Sequence, residues 1–216
     1  DHCSDLLFCP TQTAVNNLKR EGISDRIHLV GDTMYDAALK YGSLARENSK
    51  ILSHLGLKTG EYLLVTIHRA YNTDSLETLN ALFEAFGQAG ERIIFPIHPR
   101  TMTALKSAQL SIARNITLAE PVGYLDMLML EQNARLILTD SGGVQKEAYF
   151  FRISCLTLRP ETEWVETVAS GWNKLVGTNP VEIVEAINKT TRPIQEPLSV
   201  FGDGDASQRI VKILAS

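Results

Sequence analysis

The sequence predicts an α/β fold in which a doubly wound parallel sheet carries helices on both faces. Three observations lead there. Between residues 62 and 176, short apolar runs alternate with helical patterns, the rhythm of repeated βαβ units. The runs at 62–67, 135–139 and 154–158 are nearly continuous in apolar residues, as strands covered on both faces must be. Several runs stop abruptly at His68-Arg69, His98-Pro99-Arg100 and Asp140-Ser141-Gly142-Gly143. In open α/β sheets ligands bind beyond such strand ends.

Taken in order, residues 6–8 read as a short strand ended by Cys9-Pro10. Thr11 caps a helix with Ala14, Val15 and Leu18 on its apolar face, closing at Gly22. A second strand spans 27–30, and a longer helix runs from Thr33 to about Lys50. The polar, turn-rich stretch 55–60 leads into the main domain, whose strands fall at 62–67, 93–97, 116–118, 135–139, 154–158 and 173–176. Asp74 with Glu77 reads as a capping box before Leu76, Leu79, Leu82, Phe83 and Phe86. Residues 124–131 and 142–151 read as crossover helices, 183–187 as another apolar helical face. The Gly202-Asp203-Gly204-Asp205 loop precedes a last amphipathic helix with Ile210, Val211, Ile213 and Leu214.

Composition narrows the function. A chain of 216 residues, 44% hydrophobic, can build one or two compact domains. Its net charge of −4 argues against a general nucleic-acid binder. No apolar run reaches the ~18–20 residues of a membrane span, which predicts a soluble chain with no membrane partner. Three cysteines without CxxC spacing predict a reducing, cytoplasmic setting and no zinc or other metal site. The start, Asp1-His2-Cys3, has no initiator Met, and the chain reads as part of something longer.

Residues 136–147 read as a buried strand, a tight Gly-Gly turn and a helix start. The first amides of a helix lack internal partners and carry partial positive charge, so Ser141, Gly142 and Gly143 suit a phosphate. The same stretch also reads as an ordinary βα turn with Ser141 as N-cap. His68-Arg69 and His98-Pro99-Arg100, at equivalent ends of consecutive strands, could clasp a multiply charged anion or be surface loop residues. Glu147, one turn into its helix, is placed either for sugar hydroxyls or as a solvated carboxylate. Trp164, beyond the fifth strand, reaches the same rim or packs. No GxSxG, HExxH, GxGxxG or Walker pattern is present, and no general base stands out.

The combination of Ser4-Asp5-Leu6-Leu7-Phe8, Gly31-Asp32-Thr33, Thr66-Ile67-His68-Arg69 with Asn72-Thr73-Asp74, Pro96-Ile97-His98-Pro99-Arg100, and Leu138-Thr139-Asp140-Ser141-Gly142-Gly143 with Gln145 and Glu147 resembles one family end to end. It is similar to the second half of the non-hydrolysing UDP-N-acetylglucosamine 2-epimerases, whose two facing Rossmann-like domains form the GT-B arrangement. The resemblance implies a remnant of the N-terminal domain edge and linking helix at 1–50, a Rossmann-like UDP-binding domain at 51–192, and a crossover loop and helix at 193–216. It implies elimination of UDP to a 2-acetamidoglucal and re-addition with C2 inverted, interconverting UDP-GlcNAc and UDP-ManNAc for cell-surface polysaccharide synthesis without a cofactor. The acid–base carboxylates for C2 would lie in an absent N-terminal domain, the natural partner of this chain, and the whole protein would be a homodimer.

By the same resemblance His68 is the catalytic histidine at the diphosphate, Ser141, Gly142 and Gly143 bind phosphate, and Glu147 binds ribose. Arg69, Asn72, His98, Arg100 and Trp164 complete the substrate site, and Val122 and Met127 stand where relatives contact uracil with Gln and Phe. Two positions depart from the pattern. Tyr71 replaces an acidic residue, and Trp164 stands where one branch has arginine. Another branch, including enzymes acting on UDP-diacetamido uronic acids, carries Thr-Glu-Trp-Val-Glu as here. A GT-B glycosyltransferase nucleotide domain and a nucleotide-binding module without chemistry are the competing readings.

Overall fold

The computed structural model describes residues 1–108 and 110–215, the side chains of Arg100 and Ala108 excepted. Two compact units emerge: Asp1–Leu44 with Leu198–Ser216, and Ala45–Pro197.

In the first unit, β1 (Leu7–Cys9) and β2 (Ile27–Leu29) pair in parallel, joined by helix α1 (Gln12–Arg20). Thr11 caps α1 as its sequence predicts, its Oγ1 accepting from the Ala14 N–H at 3.3 Å. Val15 and Leu18 of α1 pack on Leu7, Cys9 and Ile23. Helix α2 (Thr33–Asn48) begins in this unit, and α11 (Ala206–Leu214) closes the chain. The start of α11 is capped from a distance. Asp36 of α2 accepts from the N–H groups of Ala206 (3.1 Å) and Ser207 (2.7 Å) and from the Ser207 hydroxyl (2.6 Å). Burial pushes the Asp36 carboxyl up, but these hydrogen bonds outweigh it and leave it below its usual value.

The second unit is organised by six parallel strands: β3 (Leu63–Thr66), β4 (Ile93–Pro96), β5 (Ile116–Ala119), β6 (Leu136–Thr139), β7 (Ser154–Thr157) and β8 (Asn173–Leu175). Their spatial order is β5-β4-β3-β6-β7-β8, which is the doubly wound order of a Rossmann-like sheet. The predicted fold class is therefore the observed one. Every residue of β6 and β7 is buried, which explains their continuous apolar sequence. One core layer joins Leu63, Phe95, Leu138 and Leu156 to Leu79, Leu82, Phe83 and Phe86 of α5 (Leu76–Gln88) and to Ile183 and Ile187 of α10 (Pro180–Lys189). The other face packs on Leu130 of α7 (Tyr124–Asn133) and on Val144 and Ala148 of α8 (Gly142–Phe150).

Several short helices escape the sequence reading: α3 (Ile51–His54), α4 (Ala70–Thr73), α6 (Pro99–Ala108) and α9 (Val165–Ala169). The presence of α4 moves the expected cap. Asp74 keeps helical angles (φ −88°, ψ −17°) as the end of α4 and cannot act as an N-cap. Ser75 is extended instead, and its Oγ accepts from the Thr78 N–H at 3.2 Å. Leu76 consequently sits in the first turn on the outer side, exposed rather than on the core face. Among the described residues no helix is long and apolar enough to cross a membrane, and no cluster of three His, Cys, Asp or Glu side chains could hold a metal ion.

Candidate functional site

In the second unit, β3 and β6 run parallel side by side, and the order of strand addition reverses between them, so the crevice of the sheet opens beyond their carboxyl ends. Thr66 and Thr139 are register partners there, and their hydroxyls meet at 2.6 Å. The residue after Thr139 ties the crevice together. Asp140 is fully buried, and its carboxylate accepts from the N–H groups of His68 (3.1 Å) and Arg69 (3.0 Å) and from the Asn72 amide (3.0 Å). Nδ1 of His68 lies 3.3 Å from the same carboxylate. A carboxylate can only accept, so this neighbour favours a proton on Nδ1 and leaves Nε2 for a ligand. Asn72 is itself fully buried, its amide divided between Asp140 and the Leu158 carbonyl. It braces the loop after β3. Tyr71, at the position where the family pattern is acidic, is exposed, and the support of His68 comes from Asp140.

Opposite His68, Ser141 caps α8: its Oγ accepts from the Val144 N–H at 3.4 Å, and its own N–H donates to Thr139 Oγ1 at 2.9 Å. At Gly142 a Cβ would lie 2.7 Å from Glu163 Oε1 and 3.0 Å from Trp164 Nε1, so a larger residue would have to displace these side chains. The segment after β7 thus passes over the helix start. Thr162 anchors it by donating to Gln145 Oε1 at 2.6 Å, and the Trp164 ring lies under Lys146 Nζ at 4.1 Å. Arg159 holds the Glu163 carboxylate at 2.9 Å, and Arg69 approaches it at 3.7 Å. Burial raises the Glu163 carboxyl, but its own backbone N–H, the Arg159 bond and both guanidinium charges prevail and keep it below the ordinary carboxylate range. A helix start and two arginines gather around one negative group, which is the electrostatics of an anion seat.

Beside this seat is a pocket of about 230 Å³ whose lining includes His68, His98, Val122, Met127, Ser141 and Val144. It falls below the ~300–1,000 Å³ of a whole drug-sized site, a size that suits one flat ring better than an entire nucleotide sugar. The rings of His68 and His98 are neighbours, tilted by 43° with centroids 6.2 Å apart. Gly143 belongs to the first turn of α8. Glu147, one turn further, is buried and accepts from the Tyr124 hydroxyl at 3.0 Å. Its solvated reading is excluded. The predicted residues are therefore gathered at one rim, Asn72 lying beneath it, while the Arg100 side chain lies outside the described residues. Asp140 and Glu163 carry the geometry, although the sequence reading quoted them only inside motifs and gave neither a role. Asp140 could have been found as the acidic residue ending a buried strand, whereas the motif around Glu163 does not say that its carboxylate lies over the start of α8.

This fold and rim define a doubly wound α/β domain with an anion-suited crevice at its strand ends. The sequence matches the UDP-N-acetylglucosamine 2-epimerase family over residues 1–215, and the chain belongs to that family. It is 50% identical over 220 residues to a UDP-N-acetylglucosamine 2-epimerase homolog of Methanococcus maripaludis, covering 99% of this chain and 61% of that protein. It is 41% identical over 222 residues to the UDP-2,3-diacetamido-2,3-dideoxy-D-glucuronate 2-epimerase of Pseudomonas aeruginosa, covering 100% of this chain and 61% of the other. Among solved structures, the Methanocaldococcus jannaschii UDP-GlcNAc 2-epimerase in complex with UDP-GlcNAc and UDP superposes with a TM-score of 0.90 at 43% identity, over 100% of this chain and 62% of that one. The chain thus spans about three-fifths of the relatives' length.

Proposed function

We propose that this chain is the UDP-binding part of a UDP-GlcNAc 2-epimerase that interconverts UDP-GlcNAc and UDP-ManNAc. The observation that carries the reading is the opposition of His68, locked by Asp140, to the capped start of α8 across the β3–β6 crevice. The diphosphate lies against the first amides of α8, with Arg69 and Arg159 released from Glu163 to meet it. The uracil enters the pocket by Val122 and Met127, and the ribose hydroxyls donate to Glu147. In the forward step C2 loses its proton to a base, the C1–O bond breaks, and UDP departs with the bonding pair. A proton on His68 balances the charge that develops on the departing diphosphate. Re-addition of UDP after protonation of the opposite face of C2 gives the epimer. The groups that move the C2 proton lie in the part of the relatives that this chain does not span.

Two measurements test this. Calorimetry should detect UDP binding by the 216-residue chain, and no binding would overturn the assignment. Proton NMR of the whole protein with UDP-GlcNAc in deuterated water should show deuterium entering C2, while binding without exchange would reduce it to a nucleotide-binding module. Residues 162–166, Thr-Glu-Trp-Val-Glu, and the likeness to the P. aeruginosa protein favour a second reading of the sugar, a UDP-2,3-diacetamido uronic acid. Comparing C2 exchange on the two substrates decides between them.

A further inference from the structure

Behind Glu147 is a second carboxyl that the mechanism does not use. Glu131 is fully buried on α7, and neither of its oxygens meets a hydrogen-bond donor in the protein when the group is written as ionised. It stands seven residues beyond Tyr124, two helical turns on, and so on the same face of α7. That face already delivers the Tyr124 hydroxyl to Glu147 Oε1 at 3.0 Å. Its acidic neighbour is Glu147, the other buried carboxyl of this α7–α8 contact. A buried charge without a partner costs several kcal/mol, and two ionised carboxyls side by side cannot both be kept there. One proton removes both penalties, since a protonated carboxyl is a donor and the other an acceptor.

We propose that Glu131 is a positioning residue of the nucleotide site: it carries a proton at neutral pH and donates it in a hydrogen bond to Glu147. The inference rests on the reading of Glu147 as the ribose acceptor. With Tyr124 on one side and Glu131 behind, the Glu147 carboxylate is fixed in place and charged, its remaining lone pairs left for two vicinal hydroxyls. Burial first, then the charge of Glu147, holds the Glu131 carboxyl well above its ordinary range. The other ionisable groups around the pair agree with a single proton. Burial raises the Glu147 carboxyl as well, while the Tyr124 hydroxyl, the Lys146 charge and the Glu131 bond favour its charged form, and Tyr62 and Cys155 face Glu131 from the sheet as neutral groups, the Cys155 thiol pushed up to about 12 mainly by burial. Tyr62 spends its hydroxyl on the Leu130 carbonyl at 2.6 Å and so does not satisfy Glu131.

The test uses Glu131→Gln, which keeps a donor without a titrating proton, and Glu131→Met, which keeps volume without a donor. Infrared spectra of the unliganded wild type at pH 7 should show a protonated-carboxyl C=O stretch that Glu131→Gln lacks. Calorimetry with UDP should give near wild-type affinity for Glu131→Gln and at least tenfold weaker binding for Glu131→Met. The wild type should lose UDP affinity as pH rises and the shared proton leaves, while Glu131→Gln should not show that limb. An absent band, or equal UDP affinity and equal pH profiles in Glu131→Gln and wild type together with unchanged binding by Glu131→Met, would overturn the proposal. If Glu131→Met does not fold, the band and the Glu131→Gln pH profile decide alone. A wild type that binds no UDP would overturn the nucleotide reading and with it the role at the ribose; the infrared band separates that failure from the absence of a shared proton.

Discussion

Replacing Asp140 by Asn keeps the shape of the side chain while removing its charge and one acceptor oxygen. Three N–H donors from His68, Arg69 and Asn72 converge on this fully buried carboxylate at 3.0–3.1 Å. The single amide oxygen of Asn can serve at most two of them, so at least one donor then faces an NH2 group. One lost hydrogen bond to a charged group costs about 1.5–3 kcal/mol, and a buried donor left unsatisfied costs about 1–3 more. The loss of stability should therefore be about 2.5–6 kcal/mol, a large part of the whole stability of a domain this size. Both tryptophans, Trp164 and Trp172, lie in the unit that contains Asp140, so their fluorescence in a urea titration reports that unit alone. UDP binding should weaken as well, because the His68 loop loses its anchor. A change in stability below about 1 kcal/mol would refute the view that Asp140 organises the rim.

Three further outcomes are expected. Ser141→Asp keeps an equally good N-cap but sets a negative charge against the phosphate, so stability should hold while UDP affinity measured by calorimetry falls at least tenfold, about 1.4 kcal/mol. Glu163→Gln removes the protein's own anion from the start of α8 and frees Arg69 and Arg159, and UDP should bind more tightly, by roughly three- to tenfold, or ~0.7–1.4 kcal/mol; unchanged or weaker binding would show that Glu163 does not compete for the seat. For Glu131, the folded carboxyl sits well above its unfolded value, so between the two the folded chain holds a proton that the unfolded chain has released. Stability from this group is fully present below the unfolded value of about 4.3 and falls as pH rises toward the folded one. Glu131→Gln should remove that slope, gaining stability over wild type in urea unfolding as pH rises from 5 to 8, and parallel pH curves would contradict it.

The sheet was legible because its signal is local. Continuous apolar runs such as Leu136-Ile137-Leu138 can be buried on both faces only in a covered parallel sheet, and each run ends where its ligand-type residues begin. Helix α4 was not legible, since four residues, Ala70–Thr73, carry no periodicity, and missing it misplaced the cap of α5 by one residue. The rim residues named by pattern, His68, His98, Ser141 and Gly142, do come together, because strand ends in a parallel sheet converge on one edge. What holds them could not be read. The Asp140–Asn72 bond joins residues 68 apart in sequence, and Glu131 meets Glu147 only because α7 and α8 pack side by side. An isolated Glu on an amphipathic helix looks solvated until its tertiary neighbour is known.

The central claim, that UDP sits between His68 and the start of α8, is tested most directly by amide NMR of the isotope-labelled chain during a UDP titration. The account predicts saturable shifts concentrated at His68, Ser141, Gly142, Gly143 and Glu147, all following one dissociation constant. Shifts centred instead on the opposite end of the sheet, around Arg135, Arg152 and Arg192, would contradict it.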